Sequence, residues 1–185
     1  MKRVTLIVGI VIGIIGLLAI LWYIIVITGV FSIFIPNPPR PEITYGEFPF
    51  RLTYEVAGEL KVIEDTIICE FAGFESRGTA GKYRIWESHL KSGNERITLL
   101  SGKNDDSKFE ISAFYGIPDY YMGDYTMQSK ESYETVMADD RYLSYLQWKN
   151  GIQTGCSITK EEVWEKYKLK ILNVQYSPPI QNTFK

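Results

Sequence analysis

EFPFRLTYEV at residues 47–56 is followed by AG at 57–58 and ELKVIEDTIICEFAGF at 59–74. The first run alternates and is rich in aromatic and β-branched residues, so it reads as a strand. Ala57-Gly58 has the size and chemistry of a tight turn. The return segment puts Ile67, Cys69 and Phe71 on one face, because side chains alternate along a strand. The pair is therefore predicted to be an antiparallel hairpin.

The same pattern continues downstream. Lys82 to Leu90 alternates, Lys91 to Asn94 turns, and Glu95 to Leu100 runs back. Gly102 to Ser107 is a polar turn before a strand at Lys108 to Tyr115. Strands at this spacing predict an antiparallel meander. Gly116 to Met137, with Pro118, Gly123 and several tyrosines, reads as an irregular excursion. Arg141–Trp148 and Ile152–Ser157 flank Asn150-Gly151, the strongest short hairpin signal. Thr159 with Glu162 forms a capping box. It opens a helix over Lys160 to Lys168, with Val163, Trp164 and Tyr167 expected on its buried face. A last strand, Leu169 to Tyr176, ends at Pro178-Pro179.

Upstream, residues 4–27 (VTLIVGIVIGIIGLLAILWYIIVI) hold no charge. A helix of that length is about 36 Å long, against a hydrocarbon core of about 30 Å. The expectation is a retained signal-anchor, a single-pass transmembrane helix over 4–27 or as far as 35, since no small-residue cleavage site follows the run. Lys2 and Arg3 precede it and only Arg40 follows closely, which places residues 1–3 in the cytoplasm and the bulk outside the plasma membrane. Pro36 to Pro41 is a proline-rich spacer. Residues 42–185 are enough for one domain. The expected fold class is α+β: an N-terminal transmembrane helix, then a mainly antiparallel β domain with one helix in its C-terminal region.

The stretches EFPFRLTYEV, GELKVIEDTIICEFAGF, SHLKSGNERITLL and VQYSPPIQNTF span most of the outer domain. They resemble membrane-anchored proteins of Gram-positive, clostridia-type bacteria, a family with no assigned activity. The resemblance implies a cell type and no mechanism.

The chain carries a formal net charge of −2, and all its acidic residues lie beyond residue 41. That argues against a nucleic-acid partner. Cys69 and Cys156 are the only cysteines and allow one disulfide. His89 is the only histidine, so a conventional zinc site is not expected. Asp105-Asp106 and Asp139-Asp140 lack the spacing of a calcium loop. No nucleophile elbow, phosphate loop or dinucleotide fingerprint is present, and no cofactor or metal is expected.

The candidate ligand-binding stretch is FYGIPDYYMGDY at 114–125, with Tyr115, Asp119, Tyr120, Tyr121, Asp124 and Tyr125. Exposed tyrosines beside acids suit sugar or protein ligands, whereas inward tyrosines would complete the core. Gly9, Gly13 and Gly16 share a helix face suited to self-association. The expected partners are a lipid bilayer through residues 4–27 and an envelope protein or cell-wall glycan. The leading function is a tethered binding or accessory domain. The alternatives are a carboxylate-dependent envelope hydrolase and a structural subunit of a membrane complex.

Overall fold

The computed structural model describes residues 2–27, 35–76, 81–104, 106–125, 131–133, 135 and 143–185. The element order is α1 (Lys2–Ile27), β1 (Tyr45–Val56), β2 (Glu59–Ser76), β3 (Lys82–Leu90), β4 (Ile97–Asn104), β5 (Ser107–Ala113), α2 (Pro118–Tyr121), β6 (Leu143–Lys149), β7 (Ile152–Ile158), α3 (Lys160–Tyr167) and β8 (Leu169–Tyr176).

The eight strands form two four-stranded sheets, ordered β3-β2-β1-β8 and β4-β5-β6-β7. The expected single meander is thus divided between β3 and β4. In the first sheet β1 lies between β2 and β8, antiparallel to both. Phe48, Phe50, Leu52 and Tyr54 alternate inward along β1 and are buried. Their neighbours on β2, with Phe48 opposite Ile67 and Gly46 opposite Cys69, extend the same face.

The turns follow local chemistry. Ala57 and Gly58 have φ of 52° and 88°, and Asn150 and Gly151 have 52° and 78°. Positive φ at both central residues is the hairpin geometry that matches strand twist. The capping box forms as read: the Thr159 hydroxyl accepts from the Glu162 amide, and the Glu162 carboxylate accepts from the Thr159 amide. Lys168 closes α3 in the left-handed conformation, its amide donating to the Trp164 carbonyl. Val163 is fully buried and the Tyr167 ring packs at a tilt against Phe109, 5.1 Å between centres, but Trp164 is 44% exposed. A residue one step from Val163 is turned about 100° around the helix, which carries Trp164 off the inner face.

The C-terminal tail closes the domain over its first residues. The Asn182 side chain accepts from the Ile43 amide and donates to the Ile43 carbonyl, standing in for a strand partner. Thr183 and Lys185 both reach the Glu42 carboxylate.

Contact density divides the chain into two units, 1–40 with 72–85, and 41–71 with 86–185. The first contains α1, the proline spacer and the outer ends of β2 and β3. There Arg84 donates to the Pro39 carbonyl and Tyr83 to the Glu75 carboxylate.

The fold class is corrected to mainly antiparallel β, the helices beyond α1 being short among the described residues. The transmembrane helix in the expected class is corrected too. Among the described residues, no helix is long and apolar enough to cross a membrane.

Candidate functional site

The tyrosine stretch turns inward. Pro118 starts α2, where its missing N–H costs nothing. The four-residue helix drives Tyr121 and Met122 into the core, both at 0% exposure. The Tyr121 hydroxyl donates to the Tyr115 carbonyl and accepts from the Tyr133 hydroxyl. Tyr121 also lies 4.8 Å from Phe48, ring centre to ring centre. Tyr120 stacks on Tyr133 at 3.7 Å and on Tyr125 at 5.6 Å. Asp124 accepts from the indole of buried Trp86. Asp119 accompanies these groups at intermediate burial. Gly116, at φ +104°, allows the cluster to close, because a Cβ there would meet the Tyr133 hydroxyl at 2.4 Å. Tyr115, Asp119, Tyr120, Tyr121, Asp124 and Tyr125 are therefore brought together, and Tyr120, Tyr121 and Asp124 spend their contacts within the domain.

The cysteines are kept apart by the fold. Cys69 is fully buried on β2 of the first sheet, while Cys156 is exposed on β7 of the second, and both thiols are free. The pairing open to them from sequence is thus not made. Burial, with a smaller contribution from Asp119, pushes the Cys69 thiol up to about 12. Burial likewise pushes the Tyr133 phenol up to about 12. Gly9, Gly13 and Gly16 have nothing within 4 Å of where a Cβ would stand. His89 is exposed near the end of β3. Asp105, Asp139 and Asp140 lie outside the described residues. Among the described residues no three potential ligands gather as a metal site.

A more open site lies on the outer face of the second sheet. Phe109, Ile111 and Ala113 of β5 point into the core, so Lys108, Glu110 and Ser112 point outward. The strand registers then lay out three rows across the sheet. The first is Lys103, Lys108, Trp148 and Gln153. The second is Ser101, Glu110, Leu146 and Gly155. The third is Thr98, Ser112, Ser144 and Ser157.

The third row is tied internally, its Ser112 and Ser144 hydroxyls 2.8 Å apart. Thr98 donates down to Glu110. A groove of about 840 Å³ takes in part of the first two rows, lined by Ser101, Lys103, Lys108, Glu110 and Trp148, by Gly102, Ser107 and Phe109 of the opposite phase of β4 and β5, and by Asp106 and Gly151 at the turns. That volume is in the range of small-ligand sites.

Of the four tryptophans, Trp22 lies on α1, Trp86 is buried and bonded to Asp124, and Trp164 has the Lys168 ammonium 5.4 Å from its ring centre. Trp148 is half-buried in the groove, and no described residue stacks on its ring or accepts from its indole N–H. Sequence reasoning passed over it because LSYLQWK offers apolar residues in both phases of the alternation. The usable signal was the Asn150-Gly151 turn, which fixes Trp148 opposite Gln153.

No protein-family model, curated protein or solved structure matches the chain.

Proposed function

We propose that this chain is a membrane-held binding domain that presents a glycan-binding groove outside the plasma membrane. The observation that carries the reading is the Trp148 row on the outer face of the second sheet. A partly exposed indole on a sheet face offers an apolar surface to the C–H face of a sugar ring. Lys108 and Gln153 stand directly on either side of it. Ser101 and Glu110 stand one row away. These groups supply donors and acceptors for hydroxyls.

Membrane association rests on α1. From Ile10 to Ile24 its large apolar side chains are 49% or more exposed all the way round the helix. A helix that is apolar on every side needs a nonpolar surrounding. Lipid around residues 4–27 supplies it. The charge asymmetry of the flanks supports the outward placement of the domain.

The test is co-sedimentation of the detergent-solubilised full chain with purified, insoluble Gram-positive cell-wall polysaccharide. Wild type is expected in the pellet and Trp148→Ala in the supernatant, with the variant's melting temperature unchanged. Equal partition of the two proteins would remove the reading.

A further inference from the structure

We infer, resting on the glycan reading above, that the ligand is acidic, with a carboxylate or phosphate seated over Lys103 and Lys108 while a sugar or polyol unit lies on Trp148. Lys103 and Lys108 are direct cross-strand partners. Both side chains are exposed and line the groove. Like charges placed directly opposite repel and weaken a sheet. Among the described residues, neither lysine forms an ion pair. An anion between the two ammonium groups would remove the repulsion and accept hydrogen bonds from both.

The geometry fixes the order of groups along the ligand. Lys108 stands one strand from Trp148 and Lys103 one strand further, and each step is about 4.8 Å. The negative group must therefore sit immediately beside the stacked ring, as a carboxylate or phosphate substituent on that ring or its neighbour does. A remote charge at the far end of a long chain would miss the pair. Asp106 and Glu110 also border the groove. They fall outside the lysine row, where they accept from hydroxyls and disfavour a second negative charge. The site thus selects one anion in one place, not a polyanion at large.

The experiment titrates the full chain, reconstituted in neutral-lipid nanodiscs, with three oligomers of equal length: a neutral hexose oligomer, a uronate oligomer and a polyol phosphate oligomer. Trp148 fluorescence reports binding, in a Trp22→Phe/Trp164→Phe background. At least one acidic oligomer is expected to bind tenfold or more tightly than the neutral one, and whichever does so identifies the anion. Lys103→Gln/Lys108→Gln is expected to abolish that preference, so that the acidic oligomers bind no more tightly than the neutral one; an acidic preference that survives the double substitution would overturn the assignment to the lysine pair. Equal affinity for all three in wild type would overturn the acidic assignment and leave the glycan reading standing. No binding of any oligomer would overturn both.

Discussion

Tyr121→Ala tests whether the tyrosine stretch belongs to the core. The side chain is fully buried, and truncating a buried aromatic costs about 3–5 kcal/mol. Its hydroxyl also links two groups: it donates to the Tyr115 carbonyl at 2.8 Å and accepts from Tyr133 at 3.1 Å. Removal leaves the buried Tyr133 hydroxyl without that partner, for about 1–2 kcal/mol more. The sum, about 4–7 kcal/mol, is a large share of a domain's usual 5–15 kcal/mol. Tyr121→Phe separates the two contributions, because it keeps the ring against Phe48 and deletes only the hydroxyl; its expected cost is about 1–2 kcal/mol. The assay is urea unfolding of the full chain in detergent, followed by tryptophan emission in a Trp22→Phe/Trp164→Phe background, with equal slopes required before midpoints are compared. A Tyr121→Ala protein within 1 kcal/mol of wild type would refute the reasoning and return the stretch to the surface.

Other perturbations probe other links of the argument. Under native conditions one thiol per chain, Cys156, is expected to react with Ellman's reagent, and a second only after denaturation, because Cys69 is buried with its thiol pushed up to about 12. Two fast thiols in native protein would contradict the packing of β2. The same Cys156 reports sidedness: a membrane-impermeant maleimide is expected to label it in intact cells, whereas labelling only after lysis would reverse the orientation. Cys69 and Tyr133 both have pKa values raised in the fold. The folded state therefore holds these protons above the pH at which the unfolded chain releases them, so their stabilisation is complete below about pH 9 and is lost as pH climbs toward 12. Cys69→Ala should flatten that alkaline decline in a pH series of urea midpoints, and an unchanged slope would exclude the thiol as a contributor. Thr159→Ala, which removes the N-cap of α3, is expected to cost about 1 kcal/mol in the same urea assay.

Features set by neighbouring residues were readable in the sequence. Gly58, Asn150 and Gly151 tolerate positive φ, so the two hairpin turns were legible from them, although Ala57 takes up φ 52° against its own preference. Thr159 and Glu162 specify the start of α3 because each satisfies the other's backbone amide. Features set by distant residues were not readable. β8 joins β1 across more than a hundred residues, and no periodicity in either strand names the other. Trp164 was misplaced because being next to Val163 in sequence is a large rotation on a helix. In FYGIPDYYMGDY the composition fits a surface loop or a core cap equally well. Phe48 and Tyr133, both distant in sequence, decide between them by supplying the rings on which Tyr120 and Tyr121 close.

The outer sheet face shows where folding and binding part company. A single substitution there should move stability and affinity in opposite directions. Lys103→Glu converts the repelling Lys103–Lys108 pair into an attractive cross-strand pair. For exposed partners that change is worth about 0.5 kcal/mol in favour of the fold. The same change puts a negative charge where the ligand's anion is expected, so affinity for the acidic oligomer should fall at least tenfold. Urea midpoints at low and high salt measure the first effect, which screening should erase. Nanodisc titration measures the second. A destabilised Lys103→Glu protein would mean that the two lysines do not oppose one another across β4 and β5. A stabilised protein with undiminished affinity would mean that they are not where the ligand's charge is read. Gain in one quantity with loss in the other is what a sheet face kept for binding, at some cost to folding, must produce.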